Sequence, residues 1–378
     1  MVRIERPKPA AGSVVPVPDA LAVTRMPHLP DLDGIRAVAV GIVVLSHLGL
    51  DRIVPGGFGV TIFFFLSGYL ITSLMRLEMY NSGRISYAGF YTRRVLRIIP
   101  PFWITGAFSL ACIGVGLIGR PIDWPGVAAD VLFLTNYTDV YTTLDGFPGM
   151  PLWSLAVEEH FYFFFPLVVG LFLPRVGPKR LALWCAIACV AVLMVRLANV
   201  YGFGIVAPND KMTHTRIDSI LFGCVLALWQ NPVLEGRAAW RPTRWQVGVA
   251  LLALLAMFAI RNEEFRQTIR YSVQGAALFV LFSYVLQTDI PVVTRLLRSK
   301  PMQTIGLYSF TIYLVHFVFI GIAESRFPEA HPAIRAAFVI LGTWAYSALM
   351  YRLVERPLAR LRQRLNRRNE KPLLSPAA

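Results

Sequence analysis

Charge is scarce in this chain. Only 16% of its 378 residues are Asp, Glu, Lys or Arg, against 56% hydrophobic, and the mean hydropathy is +0.55. A soluble domain of this size cannot hide so much apolar surface, so the composition reads as a polytopic membrane protein. Cysteine is scarce too. Cys112, Cys185, Cys189 and Cys224 all fall within apolar segments, and their spacing gives neither a disulfide framework nor a zinc site. Cys185 and Cys189, four residues apart, read as small packing residues on one helix face. The sequence holds no internal repeat, no low-complexity tract, no G-x-S-x-G elbow and no H-E-x-x-H helix, so neither hydrolase pattern is present. The first 30 residues are Pro-rich without an apolar h-region, and the first apolar helix is therefore expected to act as the insertion signal.

Acidic residues are the rarer sign, 22 against 37 Lys and Arg, for a net charge of +15. A basic excess can mark a nucleic-acid partner, but here the charges lie between apolar segments. No nucleic acid is expected. Windows of about 20 residues give ten candidate helices at 33–50, 57–76, 98–118, 152–173, 181–199, 214–230, 245–261, 271–288, 303–323 and 335–353. The basic residues then sort by loop parity. Arg3, Arg6, Lys8 and Arg25 precede the first helix; Arg76, Arg84, Arg93, Arg94 and Arg97 lie around the loop after the second. Arg175, Lys179, Arg180, Arg237, Arg241, Arg244, Arg295, Arg298, Lys300 and the run from Arg356 to Lys371 continue that side, which the positive-inside rule makes cytoplasmic. The expected fold is all-α, a polytopic integral membrane bundle of about ten transmembrane helices with both termini cytoplasmic. Its expected divisions are a cytoplasmic segment at 1–30, a membrane domain at 31–357 and a basic cytoplasmic tail at 358–378.

Against that background the polar residues inside apolar helices are informative, because a charge at mid-membrane costs roughly 2.5–3.5 kcal/mol and is retained where it faces a cavity, partner or substrate. In "DGIRAVAVGIVVLSHLGL", residues 33 to 50, Arg36 and His47 interrupt the run. Eleven residues are close to three helical turns and about 16 Å of rise, which puts both on one stripe at different depths. Taken alone, Arg36 reads equally as a residue snorkelling to the interface. In "WSLAVEEHFYFFFP", residues 153 to 166, Ser154, Glu158 and Tyr162 form a polar edge at i,i+4 spacing; the alternative is interfacial anchoring by Trp153 and Tyr162. In "FYTRRVLRIIPPFW", residues 90 to 103, Arg93, Arg94 and Arg97 crowd the cytoplasmic mouth, with Arg93 and Arg97 on one face. Guanidinium forks suit phosphate, although positive-inside residues meeting anionic lipid headgroups carry the same pattern. Weaker elements are "THTRIDSILFG" with Arg216 and Asp218, readable as an outer-interface pair; "YSFTIYLVHF" with Tyr313 and His316, of which His316 can serve to bond a neighbouring carbonyl; and "LVERP" at 353–357. Polar residues on several helices are what a central cavity requires.

These segments resemble the acyltransferase-3 family of integral-membrane O-acyltransferases over nearly the whole chain, roughly 30 to 357. The most specific point of resemblance is an Arg separated by ten residues from a His on the first helix, as from Arg36 to His47. "GVTIFFFLSGYLIT" at 59–72, "FYTRRVLRIIPPFW", "WSLAVEEHFYFFFP", "RIDSILFG" and "SFTIYLVHF" follow in the family's order. The resemblance implies a multi-pass protein of the bacterial cytoplasmic membrane that transfers an acyl group, commonly acetyl from acetyl-CoA or another acyl-CoA, to a hydroxyl of a carbohydrate or glycoside acceptor, without metal. Catalytic residues on this reading are His47 as general base, Arg36 binding the donor or polarising its carbonyl, and Glu158 orienting or stabilising the base. Arg93, Arg94 and Arg97 would hold the CoA phosphates, and Ser154, Tyr162, Arg216, Asp218, Tyr313 and His316 would contact substrate or support the site. Membrane lipids are the remaining partner. The donor is expected from the cytosol and the acceptor outside, where the segment around 119–150 offers Trp124, Asn136, Tyr137, Tyr141 and Asp145 for sugar contact. A transporter or lipid-linked sugar flippase using the same cavity, or a receptor or scaffold with purely structural polar residues, stays open.

Overall fold

A computed structural model describes residues 21, 23, 25–147, 150–206 and 208–369, with the side chains of 366–369 left out. Most of the expected 1–30 segment, the last part of the 358–378 tail, and Arg3, Arg6, Lys8 and Lys371 lie outside the described residues. Among the described residues every regular element is a helix. In chain order they are α1 (Pro30–Leu45), α2 (Gly56–Ser82), α3 (Tyr87–Gly114), α4 (Trp124–Val131), α5 (Thr135–Tyr141), α6 (Leu152–Leu197), α7 (Thr213–Arg216) and α8 (Asp218–Trp229). There follow α9 (Arg244–Ala259), α10 (Glu263–Gln267), α11 (Ile269–Gln287), α12 (Pro291–Leu297), α13 (Lys300–Arg326), α14 (Pro332–Met350) and α15 (Arg356–Asn369). Seven of the described helical stretches are long and apolar enough to cross a membrane.

Each expected window falls on a helix or part of one, but three boundaries differ for physical reasons. The expected spans at 152–173 and 181–199 lie on the single long α6, broken at Gly177, whose φ of 75° is left-handed and open to glycine without a Cβ penalty. The expected span at 98–118 begins instead at Tyr87, where Ser86 caps the helix by accepting from the Gly89 N–H. Arg93, Arg94 and Arg97 therefore stand on helix and not in a loop, with Pro100 and Pro101 inside α3. The expected span at 214–230 is divided at Ile217 into α7 and α8.

The core gathers on α2, which packs against α1, α6, α8 and α11. The tightest approach is between α2 and α8. A Cβ at Gly68 would lie 2.0 Å from the Ile220 carbonyl oxygen, and one at Gly223 2.1 Å from that of Phe65. Such close helix contact through small residues is how membrane helices gain packing without a hydrophobic driving force. α13 packs against α1 on the other side, and the space between α1, α2, α3, α6 and α13 encloses the cavity described next.

Candidate active site

The cavity holds about 840 Å³, including its open mouth. Its walls carry polar groups from five helices in an otherwise apolar lining: Arg36 from α1, Ser67 from α2, Arg94 and Arg97 from α3, Ser154, Glu158 and Tyr162 from α6, and Tyr313 from α13. Seven of the twelve residues picked out from the sequence are thereby brought to one space.

Its middle is a hydrogen-bonded cluster around Glu158. The Ser67 hydroxyl donates to one carboxylate oxygen at 2.7 Å, and the Tyr162 hydroxyl lies 3.2 Å from the other and 3.0 Å from Ser67 Oγ. The i,i+4 spacing of Glu158 and Tyr162 places these groups one turn apart on α6. Arg94 stands over the Tyr162 ring with its guanidinium carbon 5.2 Å from the centroid, and 5.7 Å from that of Phe90, a cation–π arrangement. Ser67 has little signal in the sequence, a single serine inside "FFFLSGYL".

Toward the start of α6 the next polar contact is between Ser154 and Tyr313, oxygen to oxygen 2.5 Å. Tyr313 also donates to the Pro151 carbonyl at 3.1 Å. A phenol has one proton, so Ser154 donates to Tyr313.

Three residues beyond Tyr313, the buried His316 meets His47. Nδ1 of His47 and Nε2 of His316 are 3.0 Å apart, while Nδ1 of His316 lies 3.0 Å from the Ile312 carbonyl oxygen. A carbonyl only accepts, so His316 carries its proton on Nδ1. In the neutral ring Nε2 is then the acceptor. His47 must donate from Nδ1, which leaves its Nε2 lone pair free. His47 itself is exposed and does not line the cavity. It sits just after α1 in a π-type turn, Ser46–Leu50, that ends through Gly49 at φ 94°. Such turns redirect side chains from the regular helical stripe. Phe317 packs on the His47 ring at 4.3 Å between centroids.

At the other end of α1, Arg36 donates to Asp33 at 2.5 Å, and Arg97 lies near enough to Arg36 and Arg94 to repel both. Arg93 does not line the cavity. Its guanidinium is 3.5 Å from the Glu78 carboxylate.

Arg216 and Asp218 sit behind the cavity wall. Asp218 pairs with Arg196 at 2.7 Å, which sets aside the alternative of a pair with Arg216; that residue stacks on Tyr271 at 3.8 Å and donates to Thr61 at 3.1 Å. Arg196 also donates to the Thr268 and Thr215 carbonyls. Both arginines are fully buried. Arg196 reads in the sequence as an ordinary helix-end cation, and nothing there signals its burial.

The segment around 119–150 is divided in its roles. Trp124 and Tyr141 are 63% and 71% exposed and remain available for contact. Asn136 is buried and donates to Thr213 at 2.8 Å, Tyr137 stacks on His214, and Asp145 pairs with Arg120. Packing therefore occupies Asn136 and Tyr137, while Asp145 is exposed and ion-paired. No group of three or more His, Cys, Asp or Glu able to hold a metal occurs among the described residues.

The profile of the acyltransferase-3 family, described as an acyltransferase domain, matches residues 29–352. The O-acetyltransferase OatA of Staphylococcus aureus strains NCTC 8325 / PS 47, COL and MRSA252 is in each case 30% identical over 355 residues, covering 88% of this chain and 57% of its own length. The chain thus spans little more than half the length of these relatives. No solved structure matches it.

Proposed function

Because the chain belongs to the acyltransferase-3 family, we propose that it is a multi-pass membrane O-acyltransferase which moves an acyl group, acetyl in the first instance, from acyl-CoA at its basic, cytoplasmic end to a hydroxyl of a sugar or polysaccharide on the opposite side. On this reading the bundle crosses about ten times, with both termini on the cytoplasmic side of a bacterial inner membrane. The observation that carries the proposal is the polar series itself. It runs from Arg97, Arg36 and Arg94 through Glu158 and Ser67 to Ser154 and Tyr313, and His316 continues it to His47.

The arginines supply permanent positive charge for the donor's phosphates, and the cavity gives its long apolar-walled arm a path toward α6's outer end. His47 Nε2 removes the proton of the acceptor hydroxyl as that oxygen attacks the thioester carbonyl. The tetrahedral oxyanion then collapses, the carbon–sulfur bond breaks, and the imidazolium returns its proton to the CoA thiolate. The Ser154 hydroxyl on the cavity wall can turn its one proton from Tyr313 to the developing oxyanion, while Tyr313 stays bonded to the Pro151 carbonyl. His316 fixes the tautomer that makes His47 a base. Glu158, bonded on both oxygens, serves to hold α2 and α6 in register beside the donor path.

The test is whether the purified protein, given acyl-labelled acetyl-CoA and a saccharide, makes an alkali-labile labelled ester. Ester formation that stops in His47→Ala supports transfer. Passage of saccharide across a bilayer with no ester formed would instead indicate a transporter.

A further inference from the structure

The "LVERP" segment leads into the last helix, and that helix bends back onto the donor side of the cavity. α14 ends in a π-type turn, Tyr351–Glu355, from which α15 runs along α3. Leu358, Leu361 and Leu365 lie on one face of α15 between arginines. Glu355 accepts a hydrogen bond from the Thr311 hydroxyl of α13, which ties the start of the tail helix to a cavity-forming helix.

Arg362 is half-buried on α15, and its Nε is buried with no hydrogen-bond partner. Arg97, exposed at the cavity mouth, is near enough to repel it, and Glu355 attracts both. Neither guanidinium is in salt-bridge or hydrogen-bond contact with that carboxylate, which accepts from Thr311. Neither Arg97 nor Arg362 forms an ion pair among the described residues. An unpartnered buried guanidinium N–H costs free energy that a bound anion recovers, and like charges held together by separate helices are what a phosphate group relieves.

We propose that Arg362, carried by the C-terminal helix, joins Arg97 in a phosphate-binding site at the mouth of the cavity, so that α15 is part of the donor site and not a solvated tail. The ligand chemistry is a phosphate monoester or diphosphate. The inference rests on the proposed donor being a phosphate-bearing acyl carrier, and a lipid phosphate is the competing source of the same chemistry.

The experiment measures CoA binding to the full chain in nanodiscs of phosphatidylcholine alone and of phosphatidylcholine with phosphatidylglycerol. Arg362→Gln is expected to weaken CoA about tenfold in both bilayers, equivalent to about 1.4 kcal/mol, while Arg360→Gln and Arg364→Gln, which remove the same charge from exposed positions of α15, leave affinity unchanged. Arg362→Lys should recover part of the loss, since it restores the charge without the fork. Thermal unfolding of each variant establishes that the fold persists. Unchanged CoA affinity in Arg362→Gln, with wild type binding CoA, overturns this assignment and leaves the acyltransferase reading standing. An effect confined to phosphatidylglycerol discs assigns Arg362 to lipid and overturns it equally. Wild-type protein that fails to bind CoA overturns both.

Discussion

His47 Nδ1 lies 3.0 Å from His316 Nε2, although the two residues are 269 apart in sequence. With the Ile312 carbonyl accepting from the far nitrogen of His316, one hydrogen-bond direction is consistent for neutral rings, and it leaves His47 Nε2 as the free base. On the proposed mechanism His316 acts through His47 as a positioning residue.

Removing that direction without removing the ring separates positioning from packing. His316→Phe should lower kcat with little change in either KM, because His47 then populates both tautomers. His316→Gln should retain more activity than His316→Phe, since an amide oxygen can accept from His47 Nδ1–H. His47→Ala should cost more than either, about 10²–10⁴-fold. Equal losses in the Phe and Gln variants would assign His316 to packing alone.

The arginines of α3 should divide. Arg94→Gln and Arg97→Gln are expected to raise the KM for acyl-CoA more than they lower kcat, as groups remote from the carbonyl act on ground and transition states alike. Arg93→Gln should leave donor KM unchanged, because Arg93 pairs with Glu78 away from the cavity lining. Steady-state kinetics with acyl-CoA varied distinguishes the three.

That division also marks what could be read in advance. The Arg36–His47 spacing, the Ser154–Glu158–Tyr162 edge and the cluster at 93–97 are local patterns, and helix periodicity exposes them. Which of Arg93 and Arg94 faces inward is not local. Both i,i+3 and i,i+4 neighbours of Arg97 are available, and the packing of α3 against other helices selects Arg94. Contacts between distant helices were equally out of reach: Ser154 with Tyr313, Ser67 with Glu158, and Arg196 with Asp218. Composition supplied the helical membrane fold, because apolar runs of spanning length have few other solutions; it could not supply the order in which helices touch.

Close backbone approach should make α2 and α8 intolerant of a methyl group. In Gly223→Ala the new Cβ would meet the Phe65 carbonyl oxygen at 2.1 Å, and backbone must shift to relieve it. A loss of about 1–3 kcal/mol is expected, seen as earlier thermal unfolding in detergent. Gly248→Ala on α9, where nothing lies within 4 Å, should not destabilise.

Outside the spanning helices, Asp130 on α4 is buried, and burial pushes its carboxyl up to about 6 despite hydrogen bonds from the Thr135 hydroxyl and the Phe147 N–H. Its folded value stands above that of an unperturbed aspartate, 3.8, so its contribution to stability is complete below about pH 4 and falls away as pH rises through about 6. Asp130→Asn should therefore raise the Tm at pH 7.5 relative to wild type and give no gain at pH 4. Its amide can accept from Phe147 N–H while donating to Thr135. A Tm difference independent of pH would contradict the assignment.

Transfer across the bilayer is tested most directly in vesicles of known orientation, with acyl-labelled acetyl-CoA and a membrane-impermeant saccharide supplied to chosen faces. With the proposed donor arginines at the basic end of the cavity and His47 in the turn that follows the other end of α1, labelled ester should form when CoA is on the cytoplasmic face and saccharide on the opposite one, and not in the reverse arrangement. Ester formed when both substrates are confined to the cytoplasmic face, and none when they are separated, would contradict the account.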